Sequence, residues 1–260
     1  MGLLFQVLAS GSKGNSILVC SETTRILFDA GLSAKEILRR IEITGFGANE
    51  LSGIILSHEH QDHVRGVGTL SRRFDLPVFL SQGTLEQLPA QVGKLPSRQL
   101  FQTGTAFAIG DLLIEPFAIS HDAAEPAGFV VTHNGSRLGI CTDCGTATQL
   151  MRARLRDCSA LVIEANHDMQ MLLTGPYPAE LKQRIRSRHG HLSNDDTFRL
   201  IEELRHDRLK TVVFAHLSET NNHPNILENA YRALLTREEW RGVRFEIGDQ
   251  HHPGPGIELS

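Results

Sequence analysis

The chain has 260 residues, 40% of them apolar and 22% charged, with a formal net charge of −4. That composition supports a core of normal size and excludes both a disordered acidic chain and a bulk-basic nucleic-acid coat. Four cysteines are too few for a disulfide scaffold, and no apolar run approaches the ~20 residues of a membrane span.

The first predicted element is a strand, "LLFQVLAS". A signal peptide would need a positive n-region, and Gln6 breaks this apolar stretch. A second strand, "SILVC", follows the loop "GSKGN", where Gly11 and Gly14 permit a tight turn. A phosphate cradle is the rival reading of this loop, but it lacks G-x-x-x-x-G-K-[ST] and no helix pattern follows. After the strand "RILFDAG", "SAKEILRRIEITG" reads as a helix with Ser33 at the N-cap, Glu36 three residues on, and Gly45 as its stop. "LSGIILS" is a buried strand, "HVRGVGTLSRRF" a helix and "LPVFLS" a strand. Two hairpins follow, about Gly110-Asp111 and about Asn134-Gly135. The strand "ALVIEAN", the helix "NDDTFRLIEELRHD", the strand "KTVVFAHLS" and the helix "NILENAYRALLT" come next. A short strand "VRFEIG" then precedes a Gly/Pro tail.

Strand pairs separated by helices predict an α/β fold: a four-layer αββα sandwich of two mixed sheets with outer helices. No Pro/Gly/Ser-rich linker interrupts the chain. It reads as one domain over 1–260, from two halves of faint self-similarity, in a cytoplasmic protein with reduced thiols.

The stretch "SHEHQDHVRG" places His58, His60, Asp62 and His63 directly behind an apolar strand. Imidazole and carboxylate are ordinary ligands of zinc, manganese and iron. A solvated, histidine-rich loop is the bland alternative. Four ligands cannot close two metal sites, so partners are expected at other strand ends, and His121, Asp143, His216 and Asp29 each end an apolar run. Cys141 and Cys144 flank Asp143 as a C-x-x-C, which a redox pair would also explain, but no second pair completes a zinc knuckle.

H-x-H-x-D-H followed by a later His, Asp and His resembles the metallo-β-lactamase fold superfamily along essentially the whole chain. "SGSKGNS", "SHDAAEP", "TDCG", "EANHD", "GHLSN" and "AHLSETNN" narrow the resemblance to the YycJ/WalJ-type group of bacterial exonucleases. The resemblance implies two divalent ions, zinc or manganese: one on His58, His60 and His121, the other on Asp62, His63 and His216, with Asp143 bridging. It leaves Asp29 a structural residue and makes Glu164 and His191 a pair near the leaving group. It also implies a two-metal phosphodiesterase acting on DNA rather than RNA, with 5′ to 3′ polarity. Two such ions ~3.5–4 Å apart share a water whose pKa falls towards ~7, supplying hydroxide for attack on the phosphodiester. Asp62 then orients or deprotonates the nucleophile, and His191, polarised by Glu164, protonates the departing 3′-oxygen. An ordinary salt bridge is the alternative for Glu164, a helix N-terminal position the alternative for His191, and His167 is the second choice for the acid.

"LKQRIRSRHGH" offers Arg184, Arg186 and Arg188 beside Lys182 as phosphate contacts, or as a solvated helix. Arg72 and Arg73 form a weaker patch, and Ser218, Asn221 and Asn222 are candidates for hydrogen bonds to substrate. The rival functions are a ribonuclease, an ester or thioester hydrolase of the glyoxalase II type, and a metal-holding regulatory protein without turnover.

Overall fold

Runs such as LLFQVLA and ALVIE are apolar on both faces, the signature of a sheet covered by other layers on each side. The computed structural model describes residues 2–259, and in it these runs form two seven-stranded sheets. The strands are β1 (Leu3–Ala9), β2 (Ser16–Cys20), β3 (Arg25–Phe28), β4 (Gly53–Ile55), β5 (Val78–Leu80), β6 (Arg98–Leu100), β7 (Phe107–Ile109), β8 (Leu112–Ala118), β9 (Ala127–His133), β10 (Ser136–Cys141), β11 (Ala160–Glu164), β12 (Thr211–Ala215), β13 (Arg244–Ile247) and β14 (Ile257–Leu259). The helices are α1 (Ala34–Ile43), α2 (Gln61–Val64), α3 (Val67–Phe74), α4 (Gln82–Gln87), α5 (Gln149–Leu155), α6 (Met169–Thr174), α7 (Ala179–Ile185), α8 (Asn194–Glu203) and α9 (Pro224–Leu235).

The first sheet runs β14-β1-β2-β3-β4-β5-β6, antiparallel as far as β3 and parallel beyond it. The second runs β7-β8-β9-β10-β11-β12-β13, antiparallel as far as β10 and parallel beyond it. The two halves therefore share one layout, with β14 in the place that β7 holds in the second.

Three apolar layers separate four structural ones. Phe5, Val19 and Phe28 meet Phe129, Val131 and Val162 between the sheets. Leu8, Leu18 and Leu27 face the other way, onto Ile37 and Ile41 of α1 and Leu70 of α3. Leu161, Ile163 and Phe214 cover the outer side of the second sheet against α5, α8 and α9. The αββα arrangement expected from the strand pairs is the one observed.

Two local expectations need correction. The helix expected over "HVRGVGTLSRRF" is broken at Arg65-Gly66 into α2 and α3. Gly66 N–H donates to the Ala30 carbonyl at 2.7 Å, and a Cβ there would lie 2.6 Å from the Leu32 carbonyl, so a tertiary contact overrides helix continuity. The Gly/Pro tail does not end as coil. Its last described residues pair with β1, Ile257 opposite Phe5 and Leu259 opposite Leu3. Among the described residues, no helix is long and apolar enough to cross a membrane.

Candidate metal centre and active site

The centre lies where strands of both sheets end. Asp29 follows β3, Asp143 lies just beyond β10, and His216 follows β12. All three are left-handed, with φ of 59°, 56° and 54°. Non-glycine residues in that region cost about 1–3 kcal/mol each and persist only where their surroundings hold them. Here the Asp29 N–H donates to the Ile55 carbonyl at 2.8 Å, and the His216 N–H to Ser10 Oγ at 2.6 Å.

Asp29 stands behind the histidine cluster. Its Oδ1 accepts the Ser57 N–H at 2.9 Å; its Oδ2 accepts the Ser57 hydroxyl at 2.8 Å and lies 2.8 Å from His63 Nδ1. Such partners decide which nitrogen each ring offers. His58 Nδ1 lies 2.9 Å from Ser57 Oγ, His121 Nδ1 lies 3.2 Å from the Gly190 carbonyl, and His216 Nδ1 lies 3.0 Å from Glu164 Oε1. On His58, His63, His121 and His216 it is Nε2 that is left to face the cluster. His60 is reversed, with Nδ1 3.3 Å from His121 Nε2.

The ligand-type atoms of His58, His60 and His121 lie within 4.8 Å of one another, as do those of Asp62, His63 and His216. Asp143 joins the two sets: Oδ2 is 3.2 Å from His63 Nε2, and Oδ1 is 3.4 Å from His216 Nε2 and 3.8 Å from His121 Nε2. His58 Nε2 is buried there without a hydrogen-bond partner, and buried Asp143 Oδ2 meets only the His63 ring, as an ion pair. An unsatisfied buried polar atom costs about 1–3 kcal/mol. Divalent cations held by imidazole nitrogen and carboxylate oxygen satisfy both atoms, so the residues present fit such ions.

Burial raises the carboxyls of Asp62 and Asp143, but the surrounding imidazoles outweigh it and hold both well below the usual carboxylate range. Burial likewise pulls His63 and His216 down. Asp143, with Asp62 and Asp29 for His63 and with Asp62 and Glu164 for His216, more than reverses it, so both rings sit well above the ordinary histidine value. Protons on these rings thus supply the positive charge that bound cations would bring. His58 and His121 are driven low, by burial above all.

Glu164, at the end of β11 and fully buried, ties the centre to its surroundings. Its Oε1 lies 2.7 Å from His191 Nδ1 and 3.0 Å from His216 Nδ1; its Oε2 accepts the Cys144 N–H at 2.9 Å and the Leu192 N–H at 3.1 Å. Burial opposes its ionisation, but the charge and hydrogen bonds of His191 and His216 bring it down to about 2. In return, burial lowers His191 but Glu164 raises it further, so its protonated form is favoured.

Residues 24–217 match the family model for the β-lactamase superfamily domain. The chain belongs to that superfamily. It is 37% identical over 252 residues to the exodeoxyribonuclease YycJ of Bacillus anthracis, covering 96% of each chain, and 34% identical over 257 residues to the exodeoxyribonuclease WalJ of Streptococcus pneumoniae, covering 96% of this chain and 94% of that one. Among solved structures, zinc-bound PqqB from Methylobacterium extorquens superposes with a TM-score of 0.74 at 18% identity, over 98% of this chain and all of that one. The protein is thus a metal-dependent hydrolase of the β-lactamase superfamily, in its YycJ/WalJ-type branch.

In this superfamily member the centre opens into a cleft of about 260 Å³, lined by His60, Asp62, His121, Asp143, His191 and His216. His191, held by Glu164, faces the cleft; His167, the second choice from sequence, is buried away from its lining. Arg184 reaches the cleft, but its Nε donates to Asp122 Oδ2 at 2.7 Å. Arg186 and Arg188 lie outside the lining, and so does the Arg72–Arg73 patch. Ser218 lines the cleft. Asn221 does not: it is 1% exposed, and its Oδ1 packs where a Cβ on Gly175 would lie 2.7 Å away. Asn222 bonds inward, to the Ala165 and Asn166 carbonyls and to Asn194.

Sequence reasoning missed several neighbours. Asn15, at the end of the "GSKGN" turn, donates to Asp62 Oδ2 at 3.2 Å and lies 3.1 Å from His63 Nε2. Asn166, two residues beyond β11, donates to the His216 carbonyl at 2.9 Å. It occupies the same kind of strand-end position that marked the other candidates. Asn166 also lines the cleft, as do Ser12, Tyr177, Leu181 and Ile185.

Proposed function

We propose that this protein is a two-metal phosphodiesterase, a DNA exonuclease working 5′ to 3′. The observation that carries the reading is the Asp143 carboxylate set between two groups of ligand-type atoms, beside a Glu164-held His191, in an open cleft. In this reading His58, His60 and His121 hold one divalent cation, Asp62, His63 and His216 hold the other, and Asp143 is shared. Zinc or manganese suits this donor set, and the zinc in PqqB supports the first. When bound, such cations lower the pKa of water towards ~7 and neutralise charge building on a phosphoryl oxygen.

The side chains of the chain position and move protons. Asp62, whose carboxylate stays ionised and borders the cleft, orients the attacking water. His191 has Nδ1 engaged by Glu164, which leaves Nε2 for the cleft. Protonated, it passes the Nε2 proton to the departing 3′-oxygen while Glu164 stabilises the imidazolium, help typically worth ~10²–10⁴-fold. Ser218 and Arg184 contact substrate at the rim. DNA is favoured over RNA because both YycJ and WalJ are exodeoxyribonucleases.

The test uses purified protein and end-labelled single- and double-stranded DNA and RNA, with manganese, zinc or magnesium supplied in turn. The expected result is metal-dependent release of mononucleotides from the 5′ end of DNA. No release under any metal overturns the reading, and release from RNA alone makes the protein a ribonuclease.

A further inference from the structure

Besides the cation-binding atoms, much of the cleft lining comes from one short segment. Tyr177, Leu181, Arg184 and Ile185 form this wall, at spacings of four, seven and eight residues from the first. Leu181, Arg184 and Ile185 share one face of α7, and Tyr177 joins them in the cleft from the bend before Pro178. No residue of α7 is buried, and Leu181 is 36% exposed, so its apolar side chains are not used by the core.

The helix is nevertheless held in place. Arg184 Nε donates to Asp122 Oδ2 at 2.7 Å, Lys182 Nζ donates to the Leu173 carbonyl at 2.8 Å, and the His191 N–H donates to the Ile185 carbonyl at 2.9 Å. Gly190 lets the chain close on the helix, because a Cβ there would sit 2.2 Å from the Ile185 carbonyl. Asp122 and Gly190 flank the wall, and each is tied to His121: Asp122 Oδ1 is 3.4 Å from His121 Nε2, and the Gly190 carbonyl is 3.2 Å from His121 Nδ1. The wall is therefore fixed relative to the cation-binding atoms.

An aromatic ring and two aliphatic side chains lining the same cleft as a highly polar centre call for a ligand with one charged end and one flat, weakly polar end. A nucleotide has that form, with phosphate for the cations and a base for the wall. We propose that the Tyr177–Leu181–Ile185 face is the platform on which the base of the terminal nucleotide stacks, with Tyr177 as its main surface. The proposal rests on the phosphodiesterase reading above and extends it to how the substrate end is held. Stacking accepts every base, because each has a π-face. The Arg184 guanidinium, already paired with Asp122, orients the helix rather than reading base edges.

The test compares two single-stranded oligodeoxynucleotides, one with a normal terminal nucleotide and one whose terminal residue is abasic. The parent protein, Tyr177→Phe, Tyr177→Ala and Leu181→Ala are each loaded with manganese. For the parent, KM for the abasic strand is expected to exceed that for the normal strand by on the order of tenfold to a hundredfold. Tyr177→Phe keeps that ratio, Leu181→Ala lowers it, and Tyr177→Ala brings it close to one. Melting curves confirm that all four proteins are folded. Equal KM on both strands for the parent overturns the platform and leaves the phosphodiesterase reading intact. An unchanged ratio in Tyr177→Ala likewise overturns it. No nucleotide release from either strand removes both.

Discussion

Replacing Glu164 with glutamine tests the centre through a residue outside the two proposed ligand sets. The carboxylate receives four donors: His191 Nδ1 and His216 Nδ1 on Oε1, and the Cys144 and Leu192 N–H groups on Oε2. Glutamine offers one oxygen and one amide, so in either orientation two donors face a donor. With the amide towards the backbone, two buried N–H groups lose their acceptor at about 1–3 kcal/mol each, a loss of roughly 2–6 kcal/mol from the fold. With the amide towards the imidazoles, both rings must accept at Nδ1 and carry their proton on Nε2. For His216 that nitrogen lies 3.4 Å from Asp62 and from Asp143, and once protonated it cannot bind a cation. Loss of such a supporting hydrogen bond costs 10–100-fold in metal affinity, about 1.4–2.7 kcal/mol. Competition against a chromophoric chelator measures the affinity, and melting of the metal-free protein measures the fold. Glu164→Gln is expected to be deficient in at least one. A variant within about twofold of the parent in affinity and within about a degree in melting temperature would refute the role assigned to this carboxylate.

Other perturbations probe neighbouring groups. His191→Ala should lower kcat by ~10²–10⁴-fold while both cations still bind, and loss of metal would make the residue structural instead. Because Glu164 raises His191 above its ordinary value, the alkaline limb of kcat should lie above ~6.5 and move down in Glu164→Gln; an immobile limb would argue against His191 as the acid. By the same sign, this pair stabilises the fold fully between the ordinary carboxylate and histidine values, less as pH rises through the raised His191 value, and less as it falls towards about 2, where Glu164 protonates. Metal affinity should rise between about pH 6 and about pH 8, by about tenfold per unit for each proton displaced, since His63 and His216 hold protons strongly when no cation is present; calorimetry in two buffers counts those protons. Gly31→Ala would place a Cβ 1.6 Å from the Asp62 carbonyl, and should cost the Asp62–His63–His216 set its metal, read as a lowered metal-to-protein ratio.

Much of this centre is legible in the sequence for a physical reason. A strand buried on both faces must be continuously apolar, so a histidine or aspartate directly behind it is conspicuous, as at Ile55 before the Ser57–His63 stretch and at Ala215 before His216. The left-handed turns at Asn134 and Gly135, with φ of 47° and 84°, are equally readable from Asn-Gly. Residues that act only through hydrogen bonds leave no period behind them, and Asn15, Ser57 and Asn166 are of that kind. The α7 segment is read from sequence only as a basic helix: with nothing on it buried, Tyr177, Leu181 and Ile185 do not stand out as a wall. The break at Gly66 depends on Ala30 and Leu32, which neighbour it only in the folded chain. The strand β14 has three residues in a Gly/Pro-rich stretch, too few to show alternation.

The pairing of β14 with β1 has a kinetic consequence. Gly2 N–H donates to Glu258 Oε1 at 2.9 Å across 256 positions of sequence, and that edge of the sheet can close only after nearly the whole chain is available. On a ribosome, β1 waits with its outer row of amides and carbonyls bare while the rest is synthesised, and a bare edge invites strands from other molecules. Contacts so distant along the backbone also slow the search for the native arrangement. Refolding from denaturant should therefore be limited by this last seam, and crowding of half-made chains is the circumstance in which the molecule is most exposed to aggregation.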